Sequence, residues 1–363
     1  MKILLAFSLI AVGVAYYFMG CCNTPKNQLF LFPDNYAWGV SKDDGGKINK
    51  FELKVSQKDI EDLKTRLANW RRHERIPNQG RFYGISENVL ENLVKYWREK
   101  YDFTKFEAKI NSMPQFTTVI QGLKVHFIHA KADSTAKKVI PLLIVHGWPG
   151  SVVEFYRAIP LLTKPDKNGV AFEVVAPSIP GFGFSEAAAK PGFNLLATGQ
   201  VFQKLMKRLG HEKFIYQGGD WGSLIGQVMS RMYPENIIGY HSNFMSAPLA
   251  TVCQKLRFFA AKYFPKMVVD EQDVHKLGQT NLTFFLEESG YFHIQATKPD
   301  TLGVAMADSP VALMAWIGEK FEVASDHAEM LGHSTGISND DFFHNIMVYW
   351  ISNHAVSASR FYK

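Results

Sequence analysis

Short apolar runs alternate with helical stretches between Val139 and Asn243, and this alternation restricts the fold more than any other feature of the chain. The helices are predicted to begin near Ser151, Ala197 and Gly222. The apolar runs are VIPLLIVHG, AFEVVAPS, KFIYQ and NIIGYHS. Because this spacing is typical of a parallel sheet covered on both faces, the pattern predicts an α/β core. A chain of 363 residues, of which 47% are hydrophobic, can bury such a core and a smaller appended region.

Two amphipathic helices and a β-hairpin are predicted before this core. Ser56 and Ser86 are candidate N-caps of the two helices. The apolar faces consist of Ile60, Leu63, Leu67 and Trp70 in the first helix and Leu90, Leu93, Val94 and Trp97 in the second. The segment FTTVIQGLKVHFIHA, residues 116–130, is rich in strand-forming residues on both sides of its Gln-Gly pair. This composition predicts a hairpin.

An uncharged apolar run, ILLAFSLIAVGVAYYFM at residues 3–19, lies close to the N-terminus. As a helix it would extend over about 26 Å, at the short end of what crosses a bilayer. Its last residues are aromatic and favour the membrane interface, whereas a cleaved signal peptide usually ends in small residues. We therefore predict one uncleaved transmembrane anchor over residues 3–19, with a signal peptide as the alternative. The adjacent Cys21 and Cys22 are in a position where palmitoylation occurs.

The charge of the chain suits an anionic membrane surface better than a nucleic acid. The formal net charge is +6 and the isoelectric point is near 9.0. The basic residues are dispersed apart from RRHER at residues 71–75, and no nucleic-acid recognition motif accompanies that cluster. We expect a solvated surface there and no nucleic-acid partner. Three cysteines cannot form a disulfide framework, which fits a reducing compartment.

The segment KFIYQ-GGDWG-SLIGQVMSRMY is the strongest chemical signal in the chain. It predicts a strand, a sharp turn and a helix, with Asp220 at the centre of the turn. Small residues two positions on either side of a nucleophile allow the strained backbone that projects its side chain. A carboxylate that attacks an acyl group forms an anhydride, which gives little catalytic advantage. Attack on an sp³ carbon instead forms an ester that water can later cleave. We therefore expect Asp220 to attack an alkyl electrophile.

A second turn, HGWPG at residues 146–150, follows an earlier predicted strand. Its position can bring the backbone N–H of Trp148 beside that of Trp221, and the two amides would form an oxyanion hole. His146 is a candidate for catalysis, but its position in the loop favours a structural role. A third segment, APSIPGFGFSE at residues 176–186, is expected to form the floor of the pocket.

These motifs, together with FIYQGGDWGS, IPGFGFSE and GYFHIQATKPDTLG, resemble the microsomal epoxide hydrolase family, which includes juvenile hormone epoxide hydrolases. The resemblance extends from about residue 51 to residue 363. It implies an α/β-hydrolase fold with Asp220 as the nucleophile. It also implies that Tyr291 and Tyr362 are lid tyrosines that hydrogen-bond the epoxide oxygen and protonate it as the ring opens. Phenols, with a pKa of about 10, remain protonated for this purpose at neutral pH.

The resemblance also implies an organisation and a setting. We expect the anchor at 3–19, an N-terminal meander at 20–138, the α/β-hydrolase core at 139–245 and a helical lid at 246–363. The implied substrate is a small lipophilic epoxide, with no cofactor and no metal. The implied location is the endoplasmic reticulum membrane, in detoxification and the catabolism of aromatic hydrocarbons.

In this family the acid and the histidine of the catalytic triad lie beyond the RFYK segment, where this chain ends at Lys363. We therefore expect a fold that is incomplete at the C-terminus, and alkylation of Asp220 without efficient release of the diol. None of the histidines that follow Asp220 lies in a loop after a predicted strand beyond the lid. These are His241, His275, His293, His327, His333, His344 and His354. The chain is then a fragment, a short isoform or a poorly folded pseudoenzyme.

Three other functions share part of this sequence pattern. Haloalkane dehalogenation also uses an Asp nucleophile and can employ Trp148 and Trp221 as halide donors, but the paired tyrosines argue against it. A non-catalytic protein that binds lipophilic molecules would keep the pocket without turnover. Dinucleotide binding through the glycines between Gly218 and Gly226 fails because their spacing is not G-x-G-x-x-G.

Overall fold

The structure, a computed structural model, describes residues 31–42, 44–74, 76–244, 252–268, 270–274, 286–324 and 337–363. Contacts group residues 31–245 and 291–363 into one compact unit, whereas residues 246–290 fall in another. The predicted anchor at residues 3–19 lies outside the described residues. Among the described helices, none is by itself long and apolar enough to cross a membrane. One pair, Pro299–Asp308 with Pro310–Ala324, meets the requirement jointly but is bent by 117°.

A seven-stranded mixed sheet forms the centre of the larger unit, in the order β1-β2-β3-β5-β4-β6-β7. The strands are β1 Asn49–Phe51, β2 Gln115–Ile120, β3 Leu123–Ala130, β4 Lys138–Val145, β5 Val170–Pro177, β6 Phe214–Gly218 and β7 Ile237–Ser242. Strands β5, β4, β6 and β7 run parallel, which confirms the four predicted strands and the α/β core. The first three strands extend the sheet with antiparallel pairing, so the sheet is mixed rather than wholly parallel.

The predicted hairpin is confirmed as β2 and β3, with Ile120 opposite Leu123 across a two-residue turn. Gln121 and Gly122 both have positive φ, 48° and 75°, as a type I′ turn requires. The turn is fixed from outside, because the Trp38 N–H donates to the carbonyl of Gln121 at 2.8 Å.

Three helices precede the sheet core: α1 Gln57–Ala68, α2 Glu87–Glu99 and α3 Phe103–Asn111. Ser56 caps α1 as predicted, and its hydroxyl accepts the N–H of Asp59. Ser86 precedes α2 as predicted, but its side chain makes no capping hydrogen bond. The buried residues of both helices match the predicted apolar faces, with Leu63 and Leu67 in α1 and Leu90, Leu93, Val94 and Trp97 in α2. The helices therefore serve packing.

Further α-helices in the part of the chain that the structure describes are α4 Ile159–Leu162, α5 Leu195–Arg208, α6 Trp221–Met232, α7 Val252–Tyr263, α8 Pro265–Val268, α9 Gly290–Thr297, α10 Pro299–Asp308, α11 Pro310–Ala324, α12 Asn339–Ser352 and α13 Ala355–Arg360. The helices predicted near Ala197 and Gly222 are confirmed as α5 and α6. The prediction of a regular helix from Ser151 is wrong. A 3₁₀ turn, Val152–Phe155, and the short α4 occur instead, because Pro160 has no N–H to continue an α-helical ladder.

Helix α6 lies unusually close to the sheet at Gly226. A Cβ atom at this position would lie 2.4 Å from the Tyr216 ring and 2.5 Å from the Tyr240 ring. Neither ring is free to retreat, because the hydroxyl of Tyr216 donates to the carbonyl of Gly222 and that of Tyr240 to the carbonyl of Ser223. The absence of a side chain at Gly226 therefore sets the distance between helix and sheet.

We predict that Gly226→Ala destabilises the protein by about 1–3 kcal/mol, the usual cost of overpacking a fixed core. Chemical denaturation followed by circular dichroism measures the change. Gly290→Ala is the matched control, because no described atom lies within 4 Å of a Cβ atom built at Gly290. Equal unfolding midpoints for the two variants would contradict the close approach.

Candidate active site

Asp220 occupies a sharp turn between β6 and α6. Its backbone has φ 50° and ψ −124°, in the positive-φ region that residues other than glycine rarely adopt. The neighbouring glycines allow this turn. A Cβ atom at Gly218 would lie 2.4 Å from the backbone of Gly222, and one at Gly222 would lie 2.1 Å from the carbonyl oxygen of Val145. Close backbone contacts thus require glycine at Gly218 and Gly222, on either side of the residue that presents the carboxylate.

Two backbone amides hold the Asp220 carboxylate. The N–H of Trp148 donates to its Oδ1 at 2.8 Å, and the N–H of Trp221 also donates to the carboxylate. Gly147 lies so close that a Cβ atom there would be 2.2 Å from Oδ1. Burial raises the pKa of Asp220, and the two amide hydrogen bonds reduce but do not cancel this effect. The structure therefore brings together Asp220, Trp148 and Trp221, the predicted nucleophile and predicted oxyanion-hole residues.

His146 orients the loop that carries Trp148. Its Nε2 accepts the N–H of Ile179 at 3.1 Å, which leaves the proton on Nδ1 for the carbonyl of Gly147 at 3.0 Å. The ring is fully buried, and this burial lowers the pKa of His146 to about 4. Both ring nitrogens are occupied by backbone groups, so the ring is a neutral structural element.

The segment at residues 176–186 occupies a different place from the one predicted. It packs against His146 through Phe182, at 5.6 Å between ring centroids, and it does not line the cavity that contains Asp220. The expectation that it forms the pocket floor is wrong, because its backbone serves to hold the loop of Trp148 from behind.

Tyr291 and Tyr362 pack on the two tryptophans. The Tyr291 ring is stacked on Trp148 at 5.1 Å, and the Tyr362 ring meets Trp221 edge-on at 4.8 Å. The two tyrosine rings are 6.2 Å apart. Burial, and then the nearby charge of Asp220, raise the pKa of both phenols. Both hydroxyls therefore carry their protons at neutral pH.

A cavity of about 540 Å³ opens beside Asp220. Its apolar wall includes Trp148, Val153, Phe321 and Ile337. Tyr291 and Tyr362 are not among its lining residues, since they lie against the tryptophan rings. The cavity gives Asp220 a largely apolar neighbourhood with space for a small organic molecule.

Several residues in or next to this cavity had no recognised signal in the sequence. Glu154 lines the cavity. Tyr349 donates from its hydroxyl to the carbonyl of Gly150 at 2.8 Å. Asn345 donates from Nδ2 to the carbonyl of Pro149 at 2.6 Å. Asn243, directly after β7, could have been found, because the carboxyl ends of parallel strands meet at one edge of a sheet.

No described histidine lines this cavity. Nδ1 of His344 is 2.8 Å from the hydroxyl of Tyr101, and Nδ1 of His354 is 2.7 Å from the carbonyl of Gly183. His241 and His293 are exposed. The other candidate bases, His275, His327 and His333, lie outside the described residues.

Comparison with known proteins identifies the architecture. A family model for the epoxide hydrolase N terminus matches residues 48–155, and one for the alpha/beta hydrolase fold matches residues 140–276. Juvenile hormone epoxide hydrolase 2 of Ctenocephalides felis is 38% identical over 99% of this chain and 78% of its own length. Epoxide hydrolase 1 of Sus scrofa is 39% identical over 96% of this chain and 80% of its own length.

A solved structure shows the same likeness in three dimensions. The crystal structure of juvenile hormone epoxide hydrolase from the silkworm Bombyx mori matches with a TM-score of 0.82 and 37% identity, over 91% of this chain and 80% of that one. The chain therefore spans about four fifths of the length of these relatives. With the elbow at Asp220, these matches establish that the chain belongs to the epoxide hydrolase family, hydrolases of the α/β-hydrolase fold that act on ether bonds.

Proposed function

We propose that this chain opens small lipophilic epoxides by nucleophilic attack of Asp220. The observation that carries the proposal is the hydrogen bond from the Trp148 N–H to Oδ1, which leaves Oδ2 as the oxygen that attacks. A bond forms between Oδ2 and an epoxide carbon while that carbon's bond to the ring oxygen breaks. The product is an alkyl ester of Asp220 with an alkoxide on the adjacent carbon.

Tyr291 and Tyr362 are proposed to hydrogen-bond the ring oxygen, and one of them transfers its proton to the alkoxide. Their proximity to each other and to Asp220 supports this role, as do the raised pKa values that keep both phenols protonated. Two proton donors favour an epoxide over a haloalkane, because a leaving halide needs hydrogen bonds but no proton. Haloalkane dehalogenation is therefore the less supported alternative.

Release of the ester is proposed to begin with the attack of water on the carboxyl carbon of Asp220. Oδ1 then becomes the oxyanion, already bound by the Trp148 N–H, with the Trp221 N–H also donating to the carboxylate. This step needs a base to activate water, and no described histidine lines the cavity. We propose that Asp220 captures the epoxide efficiently and that the diol is released slowly from the ester. A protein that binds lipophilic molecules without reacting with them is the alternative.

The proposed substrate is small and lipophilic because the cavity beside Asp220 has about 540 Å³ and a largely apolar wall. The names of the relatives point to juvenile hormone and to other epoxides. A role in detoxification or in the catabolism of aromatic hydrocarbons is part of the proposal, as is location at the endoplasmic reticulum membrane.

We predict that Tyr291→Phe and Tyr362→Phe each slow alkylation of Asp220 by about 10-fold or more, because each removes a proton donor from the ring oxygen. The double variant should lose about 10²- to 10⁴-fold, the usual contribution of general acid catalysis. Quenched-flow mass spectrometry of the labelled protein measures the rate. Tyr83→Phe is the control, because Tyr83 is 72% exposed. Unchanged epoxide capture by the folded double variant would remove the argument against a haloalkane substrate.

We also predict that an epoxide labels the protein once, on the tryptic peptide that contains Asp220, with no diol beyond one equivalent. Asp220→Asn should abolish the label, whereas the exposed control Asp133→Asn should retain it. Because burial raises the pKa of Asp220 and only the ionised carboxylate attacks, labelling should slow with a midpoint above pH 3.8 as the pH falls. Diol production over many turnovers would show that a base is present in the chain. Absence of any label would favour the alternative that the protein binds lipophilic molecules without reacting with them.

The uncharged run at residues 3–19 supports the proposal of a membrane anchor. The full-length protein should remain with membranes through a carbonate wash, and deletion of residues 1–22 should release it. N-terminal sequencing of the mature protein provides the control, since loss of the segment would favour a signal peptide.

A further inference from the structure

His129, Glu173 and His211 form a cluster remote from Asp220. Nε2 of His129 is 2.6 Å from Oε1 of Glu173, and Nε2 of His211 is 3.1 Å from the same oxygen. All three atoms lie within 4.8 Å of one another. His211 precedes β6 and Asp220 follows it, so the cluster and the nucleophile lie at opposite ends of that strand, about 16 Å apart.

The backbone fixes all three side chains in this arrangement. His129 on β3 is opposite Val175 on β5, so Glu173 is its diagonal neighbour on the same face of the sheet. His211 follows the C-terminus of α5, where its N–H donates to the carbonyl of Met206 at 2.9 Å. Gly210, with φ 85°, allows the chain to turn there. The side chains are only 11–13% exposed, so the cluster is preorganised and largely buried.

The chemistry of the cluster fits a divalent transition metal. Oε1 of Glu173 is the oxygen that both histidines and Lys131 approach. A glutamate carboxylate is ionised at neutral pH. Two imidazole nitrogens and one carboxylate oxygen, with the fourth position left for water, are a ligand set that Zn²⁺ accepts in proteins.

We propose that His129, Glu173 and His211 bind one Zn²⁺ ion that links β3, β5 and the turn between α5 and β6. In tetrahedral coordination the ligand atoms lie about 3.4 Å apart. The distances of 2.6 and 3.1 Å must lengthen slightly, which small side-chain rotations allow. Both rings bind as neutral imidazoles through Nε2, with the proton on Nδ1.

Lys131 competes with the metal. Its Nζ lies 2.6 Å from the same Oε1 of Glu173, but its side chain is 68% exposed. The ammonium group can therefore move into solvent when a metal binds. This competition provides a test that separates a metal site from a hydrogen-bonded cluster, because removal of the ammonium should strengthen zinc binding.

The test is isothermal titration of the untagged 363-residue protein with ZnCl₂ at neutral pH, with Co²⁺ absorption as an independent report of tetrahedral coordination. We expect one site whose affinity falls about 10-fold or more in His211→Gln and in Glu173→Gln. Lys131→Met should bind zinc more tightly than the wild type, whereas Lys124→Met, near the start of the strand that precedes Lys131, should be unchanged. Circular dichroism establishes that each variant is folded.

Two results would overturn the proposal. One is a wild-type protein that binds no zinc under these conditions. The other is zinc affinity that stays the same in His211→Gln, Glu173→Gln and Lys131→Met, since the metal would then bind elsewhere on the chain.

Discussion

The parallel pairing of β4 with β6 is the constraint on which the active site depends. Val145 and Gly218 are partners at the carboxyl ends of these strands. This register puts the loop after β4 beside the turn after β6, and the Trp148 N–H reaches the Asp220 carboxylate at 2.8 Å. The same closeness leaves no space for a side chain at Gly222. A shift of register by one residue would separate the amide from the carboxylate and direct the side chains to the wrong faces.

The conformation and environment of Asp220 lower the stability of the folded protein. Asp220 combines a positive φ with a buried carboxylate whose pKa is raised by burial. Both features cost free energy, and they persist because surrounding structure determines them. Helix α12 contributes to this support, because Tyr349 and Asn345 bind the carbonyls of Gly150 and Pro149 and hold the loop of Trp148. These two side chains thus position the Trp148 amide that binds the Asp220 carboxylate.

Features formed by residues close together in sequence were easier to predict than features formed by distant residues. The strands and the turn at Asp220 were predictable because each has a local sequence pattern. Tyr291 and Tyr362 were predictable only through resemblance to a family, since nothing in their flanking residues distinguishes them from packing tyrosines. Glu154 and the histidine–glutamate cluster were not predictable, because their partners are distant in sequence; the cluster joins residues 44 and 38 positions apart. The regular helix expected from Ser151 does not form, because Pro160 cannot donate the hydrogen bond that would continue it.

The fixed orientation of the Asp220 carboxylate has a consequence for the origin of oxygen atoms in the product. In the proposed reaction, the Trp148 N–H holds Oδ1, so Oδ2 is the oxygen that attacks the epoxide carbon. If the ester is then cleaved at the carboxyl carbon, Oδ2 leaves in the diol, and an oxygen from water replaces it in the protein. Oδ1 would remain bound to the Trp148 N–H throughout. The two chemically identical oxygens of one carboxylate would then have different fates, one renewed in every cycle and the other retained for the life of the protein.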